Sequence, residues 1–71
     1  MLKVKDVNRL EKYGYEKDEM SYIKEMKEGA IIVDVYDGTI IICTNESNGS
    51  YSKEIPEELY ELFAANLVTR V

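Results

Sequence analysis

A chain of 71 residues with one cysteine, no histidine and a net charge of −5 is read as one small domain. It has no internal disulfide to staple it and sits near the lower size limit for folding unaided. An apolar fraction of 45% with regular patterning argues against disorder. No apolar run approaches membrane-spanning length.

The charge is uneven. Residues 1–29 balance, with seven basic and seven acidic side chains, whereas residues 30–71 set only Lys53 and Arg70 against seven acids. Binding to a phosphate backbone rests on clustered Lys and Arg, so direct nucleic-acid binding is disfavoured. The first residues, Met1 to Asp6, lack the apolar core of a signal peptide. A cytoplasmic protein without membrane contact is expected, and Asn45-Glu46-Ser47 and Asn48-Gly49-Ser50 then carry no weight as glycosylation sites.

In chain order, Leu2 and Val4 extend the apolar stripe of a first helix or lead into it as extended chain. Asp6 is placed to cap that helix, with Val7, Leu10 and Tyr13 on its inner side. Gly14 ends it in the left-handed conformation, and Tyr15 supplies the accompanying apolar contact. Residues Glu16 to Glu28 are ambiguous: Met20, Ile23 and Lys27 can share a helix face. The reading preferred here is a strand over Ser21 to Lys27, turning at Glu28-Gly29. Whether its Tyr22, Lys24 and Met26 share the hairpin's apolar face is left open by the turn length.

Ala30 to Thr44 is the firmest signal. Two β-branched runs flank Asp37-Gly38, which suits a two-residue type I′ turn. That turn pairs Tyr36 with Thr39, Val35 with Ile40, Val33 with Ile42 and Ile31 with Thr44. One face is then Ile31, Val33, Val35, Ile40, Ile42 and Thr44; the other is mixed, with Ile32, Asp34, Tyr36, Thr39, Ile41 and Cys43. Helices are expected on the first face and solvent on the second. Residues 45–52 read as a polar loop. Ile55-Pro56-Glu57-Glu58 starts a second helix with Leu59, Leu62 and Phe63 inward, Tyr60 beside them, and Asn66 and Leu67 closing it. Leu67 to Val71 alternates and can add a short edge strand. The expected fold class is α+β: a three-stranded antiparallel meander with two helices on one face, in the order α-β-β-β-α.

Chemistry is poorly represented. Cys43 has no histidine to activate it and sits within a strand, where cysteine is usually a small packing residue. Asp34, Asp37 and Glu46 lack the loop spacing of a calcium site. No enzyme, metal or cofactor is expected. The six tyrosines suit half-buried or interface positions. Tyr36, sharing the mixed face with Ile32, Asp34 and Ile41, is the leading contact residue. Glu54, Glu57, Glu58 and Glu61 compensate the second helix's dipole and form an acidic surface.

Three phrases, Leu10-Glu11-Lys12-Tyr13-Gly14-Tyr15, Tyr22-Ile23-Lys24-Glu25 and Ile55-Pro56-Glu57-Glu58-Leu59, resemble those of small uncharacterised proteins of phages and phage-like elements of Gram-positive bacteria. Many of those end the last helix with Gly where this chain has Asn66. The resemblance implies no catalytic residues; it implies an accessory protein that binds other proteins. Two functions are therefore carried forward. The first is a non-enzymatic interaction module, a homodimer among its options, using Ile32, Asp34, Tyr36 and Ile41. The second is an acidic inhibitor or nucleic-acid mimic that docks on a basic nucleic-acid-binding protein through Glu54, Glu57, Glu58 and Glu61.

Overall fold

The computed structural model describes residues 1–27, 29–44 and 55–71, Thr44 by its backbone alone. The expected polar loop over 45–52, the glycosylation patterns within it, Tyr51, Glu46 and Glu54 lie outside the described residues, as does the side of the first turn carrying Glu28.

Among the described residues six strands and two helices follow in the order β1 (Leu2–Val4), a 3₁₀ helix (Val7–Tyr13), β2 (Glu16–Asp18), β3 (Ser21–Met26), β4 (Gly29–Asp34), β5 (Ile40–Thr44), α1 (Glu57–Ala64) and β6 (Val68–Arg70). The α+β class holds, and the order α-β-β-β-α does not. The main sheet is a four-stranded antiparallel meander, β2-β3-β4-β5, and β1 and β6 form a separate antiparallel pair. Two strands escape the sequence pattern for different reasons. Every residue of Glu16-Lys17-Asp18 is charged and exposed, so β2 has no apolar alternation to betray it. The terminal alternation is a strand, but β6 pairs with β1 (Leu2 with Arg70, Val4 with Val68) rather than with the meander's edge.

The first helix is 3₁₀ in form. Val7, Leu10 and Tyr13 recur every three residues, which eclipses their side chains on a three-per-turn helix. Leu10 is fully buried, and Val7 and Tyr13 pack on the core. Asp6 caps its start by accepting from the Asn8 N–H at 3.1 Å. Its end is a Schellman motif: Gly14 at φ 88° donates to Glu11 O, and Tyr15 donates to Leu10 O. Helix α1 ends the same way, with Asn66 at φ 59°, its N–H on Phe63 O and the Leu67 N–H on Leu62 O. In both motifs the last apolar residue is buried with its partner, Tyr15 with Leu10 and Leu67 with Leu62. Tyr60, expected beside the inner stripe of α1, is 57% exposed.

The central hairpin keeps its predicted faces and loses its predicted register. Val33 pairs with Ile40 and Ile31 with Ile42, a shift of two residues from the type I′ pairing. An even shift leaves the side chains that remain in the strands on their faces, while Val35 and Tyr36 pass into the loop. The loop is four residues, Val35 to Gly38, and Asp34 explains it. The Asp34 carboxylate accepts from the N–H groups of Tyr36 (2.7 Å) and Asp37 (3.1 Å), and its carbonyl accepts from Gly38 N–H at 3.0 Å. A side chain that satisfies two loop donors favours the longer loop over the tight turn. Of the loop residues only Gly38 has positive φ (75°).

Gly38 also joins the two sheets. Its carbonyl accepts from Val4 N–H at 2.8 Å, and Lys3 bridges Thr39 alongside. A Cβ on Gly38 would collide with the Val4 carbonyl oxygen. Between the sheets and helices lies a core of Val4, Leu10, Tyr15, Tyr22, Ile31, Val33, Leu59, Leu62, Leu67 and Val68. Every element except β2 and β5 gives it a buried residue; Ile40 and Ile42 of β5 pack against it half-buried.

Candidate functional surface

The register of β3 decides what the open face of the sheet looks like. Met26 pairs with Gly29 across a two-residue turn, which sets Tyr22 opposite Val33 and Lys24 opposite Ile31. Tyr22, Lys24 and Met26 therefore share the core side. Lys24 is accommodated there because its ammonium donates to the Tyr13 carbonyl at 2.8 Å and lies 5.5 Å from the centre of the Tyr15 ring. It supplies a positive charge at the helix C-terminus, where the backbone is negative.

The outward residues fall into rows. Ile23 stands opposite Ile32, and Ile32 opposite Ile41, with Glu16 at the β2 end of the same row. On one side run Asp18, Ser21 and Asp34; on the other, Glu25, Ala30 and Cys43. Ile41, at the open end, is 43% exposed, and Ile23 and Ile32 are half-buried. The acids Glu16, Asp18 and Glu25 are exposed, and none has an ion-pair partner among the described residues, where the one ion pair is Arg9 with Asp6. Charge alternates along β2 and β3, so that Lys17 and Lys24 take the core side while Glu16, Asp18 and Glu25 take the open one. A depression of about 610 Å³ borders the β2 end of the isoleucine row, lined by Gly14, Glu16, Lys17, Asp18, Ile23 and Glu25.

Of the four residues expected to form a contact surface, the structure brings Ile32 and Ile41 together. Asp34 lies on the same face, but its carboxylate is engaged in the loop. Tyr36 is 77% exposed in that loop and is not paired with Thr39, because the longer loop carries it beyond the strand ends. Ile23 joins the surface unforeseen; its face was undecidable without the length of the turn at residues 27–28. Cys43 is half-buried on β5 opposite Ala30.

Of the acidic set, Glu57 and Glu61 are exposed on α1 and Glu58 is half-buried. The Tyr15 hydroxyl is buried and has no hydrogen-bond partner among the described residues. Burial pushes its pKa above the usual tyrosine value, and the charges of Glu58 and Glu61 push the same way. Asp37 is held below the usual carboxylate range, chiefly by a hydrogen bond from the Thr39 hydroxyl and also by the Thr39 N–H at 2.8 Å. Among the described residues no group of three or more carboxylate or thiol side chains is placed to hold a metal ion, and no helix is long and apolar enough to cross a membrane.

Compared with protein-family models, with curated proteins and with solved structures, the chain matches none.

Proposed function

We propose that the chain is a non-enzymatic protein–protein interaction module that works through the open face of its four-stranded sheet. The observation that supports this reading is the Ile23–Ile32–Ile41 row. Cross-strand apolar pairs stabilise a sheet by roughly 0.2–1 kcal/mol each, which accounts for Ile32 in the middle. It does not account for Ile41, which among the described residues has a cross-strand neighbour on one side only and remains 43% exposed. A partner that covers the row removes that surface from water. The resemblance to small uncharacterised proteins of phages and phage-like elements, which implies a protein-binding accessory role, points the same way.

Docking through the acidic helix has less to recommend it. Among the described residues its exposed members are Glu57 and Glu61, Glu58 being half-buried with its charge felt at Tyr15.

The test is recovery on immobilised protein, comparing the wild type with Ile41→Lys and with Tyr60→Lys as a control on α1. Association should be lost in Ile41→Lys and kept in Tyr60→Lys, with circular dichroism unchanged in both. Equal recovery by all three would remove the open face from consideration.

A further inference from the structure

Resting on the open face as the docking surface, we infer that its partner is a basic amphipathic helix of another protein rather than a second copy of this chain. The inference comes from what surrounds the isoleucines. Glu16 closes one end of the row, Asp18 and Asp34 stand in the row on one side, and Glu25 stands in the row on the other. No outward-facing position of β2–β5 carries Lys or Arg. Lys17, which lines the depression from the opposite face of β2, leaves that hollow with three carboxylates against one ammonium.

Two such faces brought together would set carboxylates against carboxylates around their apolar centres, and like charges in juxtaposition are strongly unfavourable. The same ring repels nucleic acid and anionic lipid. It attracts a surface with an apolar centre and a cationic border.

The dimensions select a helix. Adjacent strands lie about 4.8 Å apart, so Ile23 to Ile41 spans about 10 Å. Residues i and i+7 of an α-helix are separated by about 10.5 Å along one face. Apolar side chains at i, i+3 or i+4, and i+7 therefore meet the three isoleucines when the helix lies along the row. The flanking rows, with Asp18 and Asp34 on one side and Glu25 on the other, are about 7 Å away, within reach of Lys or Arg side chains on the helix's two shoulders. The depression beside Glu16 and Glu25 receives one such side chain at the helix end.

The experiment is a titration of the ¹⁵N-labelled full chain with three synthetic peptides. The first is an amphipathic helix with Leu along one face and Arg on both shoulders; the second keeps the Leu face and carries Glu on the shoulders; the third is a scrambled sequence of the first. The expected result is binding of the first alone, with amide shifts centred on Ile23, Ile32 and Ile41 and affinity falling as salt rises. Charge reversal in Glu16→Lys/Glu25→Lys, two exposed positions that leave the fold intact, should weaken binding by about tenfold or more. Equal binding of the acid-shouldered peptide, or unchanged affinity in the charge-reversed variant, overturns the basic partner while leaving the open face as the docking surface. Self-association that shifts the same amides does likewise. Shifts centred elsewhere, or no shifts with any peptide, overturn the basic helix and the open-face reading together. Binding of the scrambled peptide as tightly as the first assigns the effect to charge alone and overturns the helix.

Discussion

Gly38 carries two constraints at once, a φ of 75° and a backbone approach to Val4 that leaves no room for a side chain. Gly14 carries one: its φ is 88°, but an added Cβ would meet only the flexible end of Lys24 at 3.7 Å. Gly14→Ala should therefore cost about 1 kcal/mol, the strain of the left-handed conformation. Gly38→Ala should cost distinctly more, about 2–4 kcal/mol, since the backbone of β1 must also move. Urea unfolding of the two variants side by side checks the ranking. Equal costs would mean that the contact between the two sheets is soft.

Tyr15 offers a second residue-scale prediction. Its hydroxyl is buried without a partner among the described residues, and such a group costs about 1–3 kcal/mol of desolvation. Tyr15→Phe should be neutral or stabilising by about 1 kcal/mol. The pH dependence has a definite sign. A folded-state pKa above the ordinary 10.0 contributes stability that is complete below that value and is lost as the pH climbs toward the folded one. The wild type should weaken in alkali, and Tyr15→Phe should weaken less. A stability profile that is identical for the two above pH 10 would contradict the burial of this hydroxyl.

At the scale of elements, both helices close with the same device, and its positive-φ position is filled once by Gly14 and once by Asn66. Asn tolerates that conformation less well than glycine. Asn66→Gly should stabilise the fold by a few tenths of a kcal/mol to about 1 kcal/mol, because the bond it gives up, from the Lys5 ammonium to Asn66 Oδ1, is exposed. A rise in the urea midpoint at constant slope verifies this; a fall would show that the Lys5 bond matters more than the backbone strain.

The elements that were legible in the sequence are those with local signals. The two Schellman ends, the strand over residues 21–26 and the face assignment of the hairpin each rest on residues close together in the chain. What was not legible depended on side-chain chemistry or on distant partners. The loop length of the hairpin was set by the Asp34 carboxylate rather than by the Asp-Gly pair. The three-residue spacing of Val7, Leu10 and Tyr13 is a 3₁₀ signal that reads equally as a short α-helix. β2 has no apolar residue to mark it, and the pairing of β1 with β6 closes the two ends of the chain on each other, which no local pattern records. For the candidate surface, Ile32 and Ile41 were visible once the faces were sorted. Ile23 required the register of the first turn, and the acidic border required β2.

The whole molecule sorts its surface by the alternation of two strands. Glu16-Lys17-Asp18 and Ile23-Lys24-Glu25 send their lysines to the core side, where Lys24 finds the end of the 3₁₀ helix and the Tyr15 ring, and their acids to the open side. Four acids, Glu16, Asp18, Glu25 and Asp34, thus frame an apolar row on the open face. A small core argues for help from a partner, and the framing argues that the partner is not a second copy. The measurement that bears most directly on this account is the solution mass by size-exclusion chromatography with light scattering, across a dilution series at low salt. The account predicts a monomer throughout, its isoleucine row open to another protein. A stable dimer that Ile41→Lys dissociates would contradict it, because the acidic border would then have failed to keep two open faces apart.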